Sequence, residues 1–459
     1  MARERVVPGP KGRPIAGCAR EIGEDRIEFL LSTSRQYGEL VHFKVFGQSL
    51  YLVSNPDYVK EILVTNAKHF HKSSLLRVAR FILGDGLLTS EDDFHRRQRR
   101  MIQPTFHSQR VNRYGEIMIE FASAFAKSWE EFDGHPIDVW DEMMRLTLAI
   151  VSKTLFGASM ESEDHEIGEA LKEVISIFER VSQPLADLGL LLPTPKNLRV
   201  RLARRRIERT MDRIIRERRA SGEDRGDLLS MLLKAQDEDD GGAMTDKQVR
   251  HEMVTLFLAG HETTANALTW AWYLLALHPE IERKLHAELD SVLGGNTPAP
   301  ADVPRLEYAR RVFAETMRLY PPAYLIGRTV RETFRLDGYE IPRGAQILLC
   351  PFVTHRNAKY FPDPLRFDPD RWAPELQQDR HKFAYYPFGS GPRTCVGEPF
   401  AWMEGILLLS VLAQRWRLRL EPGHPVEYDP QITLRPKHGM TMRLERRAGA
   451  GAVGAASNG

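Results

Sequence analysis

A long apolar segment with a polar centre constrains the fold of this chain more than any other feature. Residues 253–277, MVTLFLAGHETTANALTWAWYLLAL, belong to a helical pattern that begins near Thr245 and ends before Pro279. Thr245 and Gln248 have the spacing of a capping box, which satisfies backbone amides at a helix start. At ~1.5 Å per residue this helix is about 50 Å long, so it crosses a whole domain.

Polar residues at the middle of that segment argue against a membrane-spanning helix. The centre of a bilayer penalises polar side chains most, and five of them lie there: His261, Glu262, Thr263, Thr264 and Asn266. A helix buried in a large protein core accommodates both the apolar flanks and the polar centre. The zinc pattern HExxH fails because Ala265 stands at its last position. The centre is compatible with a satisfied polar cluster or with a groove that delivers protons to a small molecule.

The remainder of the chain predicts further helices with two strand regions. Residues 41–53 alternate in the manner of a β-hairpin, and residues 334–350 form a second strand region with turns inside it. No repeat or flexible linker divides the 459 residues. We therefore expect one mainly α-helical domain with small β-sheets over residues 1–443, followed by a disordered tail of small residues at 444–459.

Charge and cysteine usage exclude several classes of protein. A net charge of +2 gives no strong attraction to nucleic acid. The arginine-rich segment 199–219 favours a solvated helix face, since no aromatic residues interleave with the arginines. Three widely spaced cysteines predict no disulfide framework and suit the cytoplasm. The N-terminal residues lack an apolar run, so we expect neither a signal peptide nor a membrane anchor.

One cysteine near the C-terminus has an unusual setting. Cys395 lies in PFGSGPRTCVGEPFAW, between glycine-rich sequence and an apolar helix. The helix N-terminus and Arg393 favour the thiolate by lowering the pKa of the thiol. A thiolate there is compatible with a nucleophile, although no histidine base lies in the segment. It is also compatible with a zinc ligand, although no short-spaced partners are present, or with an axial ligand of haem iron.

Four motifs resemble those of cytochrome P450 monooxygenases. The family's haem-binding signature FxxGxRxCxG is matched by Phe388, Gly391, Arg393, Cys395 and Gly397. AGHETT at 259–264 is similar to the oxygen-activation motif, ETMR at 315–318 to the ExxR motif, and FDPDRW at 367–372 to the segment that completes the ExxR pair. A surface ion pair would explain ETMR alone, but not four motifs in the family's order. The resemblance implies the single-domain cytochrome P450 fold, with haem b between a long distal helix and a proximal cysteine loop and helix.

The resemblance also implies roles for individual residues. Cys395 is expected to be the metal ligand, with amide hydrogen bonds that tune its sulfur. Phe388 is expected to shield the sulfur, and Gly397 to let the backbone approach the porphyrin. Glu262 and Thr263 are expected to relay protons to dioxygen, the co-substrate. A buried structural triad, needed for folding and haem loading, is expected from Glu315, Arg318 and Arg371.

The two haem propionates are anions that need cations. Arg393, Arg328 and Arg99 are the candidates that the resemblance implies, Arg99 because its helix is similar to the family's WxxxR helix. His95 stands where that helix often carries tryptophan, and His355 is a further candidate. For each of them a solvated surface position is the alternative interpretation.

The substrate side is predicted to be apolar. In this family the substrate lies against the distal helix, the loop before His95 and the strand after the ExxR helix. Those regions contain Leu75, Leu76, Phe81, Leu87, Phe257, Ala259, Ala323, Tyr324, Leu325 and Ile326, all equally compatible with core positions. We expect a lipophilic substrate, such as a terpenoid, fatty acyl, steroid or polyketide-like molecule, and a lid at 177–198.

The predicted reaction is hydroxylation or epoxidation by dioxygen. The remaining length holds no flavin or iron–sulfur domain, so electrons are expected from a separate ferredoxin or flavodoxin-type partner with its reductase. A basic docking face or a solvated surface is formed by Arg96, Arg97, Arg100 and Lys382. Two alternatives stay open. One is a peroxygenase or rearrangement catalyst, against which Glu262 and Thr263 argue; the other is a haem sensor or silent scaffold.

Overall fold

Helices form most of the structure, a computed structural model that describes residues 5–157, 194–239 and 241–447. The helices are α1 (Ala19–Glu24), α2 (Arg26–Tyr37), α3 (Pro56–Lys60), α4 (Ser74–Leu83), α5 (Asp92–Ile102), α6 (Ser108–Ser128), α7 (Val139–Phe156), α8 (Pro195–Ser221), α9 (Leu228–Lys234), α10 (Asp246–Leu277), α11 (Pro279–Leu293), α12 (Glu307–Leu319), α13 (Pro351–Thr354), α14 (Pro374–Gln377) and α15 (Glu398–Arg415). The strands are β1 (Leu40–Val45), β2 (Gln48–Val53), β3 (Phe70–Lys72), β4 (Pro136–Asp138), β5 (Ile326–Val330), β6 (Phe334–Leu336), β7 (Tyr339–Ile341), β8 (Gln346–Leu349), β9 (Trp416–Leu420), β10 (Tyr428–Pro430), β11 (Leu434–Pro436) and β12 (Thr441–Arg446). The expected mainly α-helical architecture with small sheets is confirmed.

The longest helix, α10, begins and ends where the sequence predicts. The amide of Thr245 donates to Oε1 of Gln248 at 2.7 Å, and the amide of Gln248 donates to Oγ1 of Thr245 at 3.3 Å. This capping box satisfies amides that would otherwise lack a partner at the helix start. Pro279 begins the next helix, so α10 ends at Leu277. None of the described helices combines the length and apolarity that crossing a bilayer requires.

Helix α10 crosses the core and packs against α7, α12 and α15. The ring of Trp270 stacks on Tyr320, with 4.3 Å between centroids and 8° between planes. Helices α12 and α15 approach each other closely because of Gly405, where a Cβ would lie 2.2 Å from the ring of Phe313. These contacts fix the helix with the polar centre against the ExxR helix and the helix that follows Cys395.

A five-stranded sheet, in the order β1-β2-β8-β5-β3, contains the first predicted strand region and strand β8 of the second, whereas β6 and β7 form a separate two-stranded sheet. Strands β1 and β2 form the expected hairpin, with Leu40 opposite Val53. Its two-residue loop, Phe46 and Gly47, has φ of 47° and 80°, as a tight hairpin turn requires. The second region supplies the β6–β7 hairpin and β8, which pairs parallel with β2 and antiparallel with β5.

The C-terminal strand extends further than the sequence predicts. Strand β12 pairs with β4 and β9, and Leu444 is fully buried opposite Leu418. The prediction of a disordered tail from residue 444 is therefore wrong for the first residues, because the alternation of Met442 and Leu444 with charged neighbours marks a strand. Residues 448–459 lie outside the described part of the chain.

The arginine-rich segment forms helix α8, which packs through an apolar stripe. The buried side chains of that stripe are Ile207, Met211, Ile214 and Ile215. Arg218 is the exception to the solvated face, because it is buried and donates to both carboxylate oxygens of Asp227 at 2.7–2.8 Å. An amphipathic helix whose Arg218 forms a buried ion pair accounts for the segment without a nucleic-acid partner.

Candidate active site

The cysteine loop, residues 387–397, is held by its own backbone. The amide of Cys395 donates to the carbonyl of Phe388 at 2.9 Å. Gly391 has a φ of 72°, which favours glycine, and a Cβ there would lie 2.0 Å from the carbonyl oxygen of Leu63. The loop therefore packs closely on the N-terminal part of the chain and presents Cys395 at the start of α15.

The sulfur of Cys395 is accessible although protein atoms surround it closely. The side chain is exposed, yet burial raises the pKa of the Cys395 thiol to about 11. The amides of Gly397 and Glu398 donate to the sulfur and the charge of Arg99 lies near it, but they offset burial only in part. The lowered pKa expected from the helix N-terminus is thus not found in the protein alone. The thiolate needs a further cation at the sulfur, such as a metal ion.

Glycine at position 397 leaves space beside the sulfur of Cys395. Gly397 has a φ of −85°, which any residue adopts, so backbone conformation does not require glycine there. A Cβ at Gly397 would lie 3.9 Å from Sγ of Cys395 and 3.8 Å from the ring of Phe106. A side chain would therefore fill the space next to the sulfur, which glycine leaves for a ligand. Phe388 packs against Trp402 of α15, with centroids 5.9 Å apart, and its shielding role stays a prediction.

Four cations in the described part of the chain surround His95 near the cysteine loop: Lys72, Arg99, Arg328 and Arg393. Burial, and then the charge of Arg393, lower the pKa of Arg328 to about 10 and that of Lys72 to about 7. Nη1 of Arg393 is buried without a partner among the described residues. Such mutual repulsion favours an anionic ligand, and two propionates match it in charge. The sequence analysis missed Lys72, because only its burial in the fold distinguishes it from a surface lysine.

The two histidines proposed for the propionates lie in different places. Burial and the surrounding cations lower the pKa of His95 to about 3, so its ring is neutral and offers one N–H donor. His355 is fully buried elsewhere, where its Nε2 accepts the amide of Tyr386 at 3.1 Å and its carbonyl accepts Nη1 of Arg318 at 2.7 Å. The propionate role expected for His355 is wrong, because its contacts tie it to the ExxR region.

The ExxR residues form a buried ionic network. Nε and Nη2 of Arg318 donate to the two carboxylate oxygens of Glu315 at 2.8 Å, and Nε of Arg371 donates to Oε1 at 2.8 Å. The indole of Trp372 and the amide of Asp368 donate to the same carboxylate at 2.9 and 3.0 Å. The structure brings the three predicted residues together. It adds Trp372, whose position directly after Arg371 was the available signal.

The polar centre of α10 is accessible in the middle of an otherwise buried helix. Ala259 is exposed and Glu262 and Thr263 are partly exposed, whereas Phe257 is fully buried. Oγ1 of Thr263 donates to the carbonyl of Ala259 at 2.7 Å, one turn back, as the sequence suggests. The carboxylate of Glu262 accepts the hydroxyl of Thr433 from the β10–β11 connection. An accessible groove in a core helix provides room for a small ligand.

The predicted pocket residues divide into two groups. Besides Ala259, the accessible group consists of Leu76, Ala323, Leu325 and Ile326. Phe257 stacks on Phe156 at 5.9 Å, and the hydroxyl oxygen of Tyr324 lies 2.9 Å from the carbonyl oxygens of Pro430 and Gln431, which share its one donor. The assignment of Phe257 and Tyr324 to the pocket is wrong, since almost none of their surface is accessible.

Several predicted residues cannot be assigned to either group. The side chains of Leu75 and Phe81 lie outside the described residues, as does the part of the predicted lid at 177–193. Leu87 is 8% exposed and packs in an apolar cluster that includes Leu256.

A second acid, missed by the sequence analysis, lies on α15. Glu404 is fully buried, and neither carboxylate oxygen has a hydrogen-bond partner within the described residues. Burial raises the pKa of Glu404 to about 8, and the nearby hydroxyl of Thr264 offsets this only in part. Its presence as the one acid in the apolar run FAWMEGILLL was the available signal.

Much of the predicted basic face is engaged with acids of the same chain. Arg100 binds Asp237 at 3.0 Å and Asp239 at 2.6 Å, and Arg97 donates to the carbonyl of Gly242 at 2.9 Å. The other two members of the face are exposed, Arg96 beside Asp93 and Lys382 at the surface. The charge available to an acidic partner is smaller than the sequence suggests.

Known proteins with similar sequences belong to the family that the motifs of this site resemble. Residues 7–442 match the family model for cytochrome P450. Cyclooctatin synthase from Streptomyces melanosporofaciens is 41% identical over 436 residues, which cover 94% of each chain. Cyclooctat-9-en-7-ol 5-monooxygenase from the same organism is 36% identical over 416 residues, 90% of each chain. Pentalenene oxygenase from Streptomyces avermitilis is 34% identical over 452 residues, 97% of this chain and 99% of its own.

Comparison with solved structures indicates the same family. The haem domain of cytochrome P450DA has a TM-score of 0.87 with this structure at 29% identity, covering 96% of this chain and 97% of that one. Family match, relatives and fold span nearly the whole chain, including the cysteine loop, the ExxR network and the polar centre of α10. The chain therefore belongs to the cytochrome P450 family and is a cytochrome P450 monooxygenase.

Proposed function

We propose that the enzyme uses haem b and dioxygen to hydroxylate or epoxidise a cyclic terpenoid. The observation that carries the proposal is the setting of Cys395, an accessible sulfur that accepts backbone amides inside the protein. Beside it lie four buried or partly buried cations that repel one another, and Nη1 of Arg393 has no partner in the described part of the chain. A haem supplies the complementary charges, with a metal cation at the sulfur and two carboxylates at the porphyrin edge.

The proximal residues would hold the haem. Cys395 would bind the iron as thiolate, and Lys72, Arg328 and Arg393, with the neutral N–H of His95, would bind the propionates. Bound there, the haem supplies an iron centre whose thiolate ligand favours cleavage of the O–O bond.

Thr263 and Glu262 would manage protons on the opposite side. The hydroxyl proton of Thr263 is donated to the carbonyl of Ala259, so the lone pairs of Oγ1 are oriented to accept a proton donor, such as a water molecule in the groove. Glu262 is partly exposed and is fixed by Thr433, which suits a carboxylate that exchanges protons with solvent. The two side chains would thus deliver protons while limiting free access of water.

The substrate class follows from the accessible groove and the relatives. Ala259, Leu325 and Ile326 offer apolar surface, which favours a lipophilic molecule. Two relatives are named for oxidising cyclooctat-9-en-7-ol and pentalenene, an alkenol and an alkene with few polar groups. A terpenoid skeleton agrees with both observations better than a fatty acyl, steroid or polyketide-like substrate.

Enzymes of this family require a redox partner in general, and we propose a ferredoxin or flavodoxin-type donor with its reductase. The exposed Arg96 and Lys382 would contribute to docking, with a correspondingly modest dependence on salt. Three cysteines without disulfides are in keeping with a reaction in the cytoplasm.

The proposal is tested by product analysis under labelled dioxygen. The purified enzyme, with ferredoxin, ferredoxin reductase and NADPH, is incubated with pentalenene, cyclooctat-9-en-7-ol, lauric acid or progesterone under ¹⁸O₂. We expect a product with one ¹⁸O atom from at least one terpenoid and none from the other two. Turnover of the acid or steroid alone would contradict the substrate class, and equal turnover with hydrogen peroxide in place of the reductase system would favour a peroxygenase.

Replacing Thr263 with valine should uncouple electron use from product formation. The variant removes the hydroxyl but keeps the branched shape, so haem content should match the wild type. We expect product per NADPH to fall about tenfold while peroxide release rises, because water replaces the lost proton-handling group only in part. The matched control is Thr269→Val, which removes a similar hydroxyl bonded one turn back, to Ala265 at 2.8 Å, at a fully buried position. Equal coupling in the two variants would contradict the assignment.

A further inference from the structure

A buried carboxylate on α10 has no role in the proposed reaction. Glu252 is fully buried about three turns before Thr263. Its Oε2 accepts the backbone amide of Leu87 at 2.8 Å, and its Oε1 has no hydrogen-bond partner among the described residues. Leu87 belongs to the segment between α4 and α5, residues 84–91. A second hydrogen bond also ties this segment to α10, because the amide of Asp85 donates to Nδ1 of His251 at 3.0 Å.

The carbonyl of Leu87, in the next peptide group, is held by Lys72. Its Nζ donates to the carbonyl of Leu87 at 2.7 Å and to that of Ser90 at 2.7 Å, and the side chain is buried. An ammonium group has three donors, which leaves one for a further acceptor such as a propionate. The backbone of Leu87 therefore donates through its amide to an acid of the distal helix, and accepts through its carbonyl, in the next peptide group, from a cation of the propionate group.

The chain of contacts continues to the cysteine loop. The backbone amide of Lys72 donates to Oε1 of Glu91 at 2.6 Å, and the other oxygen of Glu91 accepts Nη2 of Arg393. Arg393 precedes Cys395 by two residues. A connected series of hydrogen bonds thus runs from Glu252 on the distal side, through segment 84–91, to the proximal loop.

The burial of these groups is costly, which argues that they fix a geometry. Burial raises the pKa of Glu252 to about 8 and lowers that of Lys72 to about 7. Apolar residues of similar volume often serve stability as well as, or better than, buried charges. What apolar residues cannot do is hold the amide and the carbonyl of one residue, and so two consecutive peptide groups, in fixed directions.

We propose that Glu252 is a positioning residue that fixes segment 84–91 as one wall of the substrate cavity. The proposal rests on the proposed function, because that function makes the space between α10 and the cysteine loop a haem and substrate site. Leu87 packs with residues of α10, and the neighbouring Leu88 is 38% exposed. A wall held in this way binds long apolar ligands better than a loose one, since the ordering of the segment does not have to accompany binding.

Two nitrogen ligands of haem iron, one with a long alkyl chain and one without, test the proposal in the holoenzyme. n-Octylamine and imidazole both bind haem iron through nitrogen, but only octylamine carries an alkyl chain that contacts the cavity wall. Their dissociation constants are measured from the Soret difference spectrum for the wild type, Glu252→Met and Glu252→Gln. We expect Glu252→Met to weaken octylamine about tenfold, the loss of roughly one hydrogen bond, and to change imidazole less than twofold. Glu252→Gln keeps an acceptor for the Leu87 amide and should stay within twofold of the wild type for both ligands.

A control variant separates positioning from general stability. Glu288 of α11 likewise accepts backbone amides, those of Tyr308 and, at 2.9 Å, Ala309, at the start of α12. Glu288→Met should lower thermal stability without changing either dissociation constant. Equal weakening of both amines by Glu252→Met, or no weakening, would overturn the proposal. So would a Glu252→Gln variant as weak as Glu252→Met, because the effect would then belong to the charge.

Hydrogen exchange gives a measurement that needs no variant to fold. In the wild-type holoenzyme the peptide covering segment 84–91 should exchange slowly, because the Leu87 amide is buried and hydrogen-bonded. Rapid exchange of that peptide would overturn the proposal. Failure of the proposed function looks different, since the wild-type protein would then show no Soret response to either amine.

Discussion

Replacing Cys395 with serine should abolish the red-shifted Soret band of the reduced carbon monoxide complex and monooxygenase turnover with it. Serine keeps the size of the side chain but replaces the sulfur with a poorly basic hydroxyl, which removes the electron-donating thiolate. Loss of outer groups around a metal site commonly costs ~10–100-fold in activity, so loss of the ligand itself should exceed ~100-fold. Spectra of the dithionite-reduced protein under carbon monoxide, with product assays on the same samples, provide the measurement.

The chain contains its own controls for the cysteine substitution. Cys18 and Cys350 are also free thiols, but both are buried in an apolar cluster away from the cysteine loop. Cys350 donates to the carbonyl of Tyr324 at 3.2 Å, so serine can keep that bond. Cys18→Ser and Cys350→Ser should retain the red-shifted band. A normal band in Cys395→Ser would refute thiolate ligation by this residue.

Features that depend on neighbours in the sequence were predicted well. The capping box of α10 needs only Thr245 and Gln248, three residues apart, and the β1–β2 hairpin needs only alternation around a two-residue turn. The cysteine loop is likewise a short motif whose residues stay together in the fold. Local geometry fixes these features, so the sequence alone carries the information.

Helix periodicity could have excluded one of the two residues that were wrongly assigned to the pocket, Phe257. On a helix with 3.6 residues per turn, Phe257 lies about 200° from Ala259, whereas Thr263 shares the face of Ala259. Tyr324 is likewise buried, at 2% exposed, whereas its neighbours Ala323 and Leu325 are partly exposed. An apolar stretch of sequence therefore contains both core residues and accessible residues, and the two kinds have to be separated by position.

The remaining misses depend on contacts between distant parts of the chain. Arg393 binds Glu91 across 302 residues. The haem-binding signature marks Arg393, but no local pattern marks Glu91. The buried Nζ of Lys72 finds its hydrogen-bond partners among carbonyls of the following segment. The ring of His355 accepts a hydrogen bond from the backbone amide of Tyr386. Such partners are set by how strands and loops assemble, which a single sequence does not reveal.

Replacing Glu315 with alanine should prevent accumulation of folded, haem-loaded protein. Its carboxylate accepts five hydrogen bonds, three of them from the guanidinium groups of Arg318 and Arg371, and it is fully buried. Removing one member of a buried ionic network leaves uncompensated charge and costs ~3–5 kcal/mol, a large part of the stability of most domains. Glu315→Gln keeps the shape of the side chain but replaces one carboxylate oxygen with an NH2 group. That group is a donor facing the donors of Arg318, so this variant should also be less stable than the wild type. Soluble yield, haem content per protein and the denaturant midpoint measure the effect.

A surface pair on the same helix distinguishes the network from an ordinary ion pair. Glu307 and Arg311 of α12 lie 3.3 Å apart, and the side chain of Glu307 is 66% exposed. Exposed pairs of this kind contribute ~0.3–0.5 kcal/mol, so Glu307→Ala should leave yield, haem content and midpoint almost unchanged. If Glu315→Ala had as little effect as Glu307→Ala, the ExxR motif of this chain would be an ordinary i,i+3 ion pair that contributes little to stability. If it lost stability but regained haem content under excess haem, the network would act on folding rather than on haem binding itself.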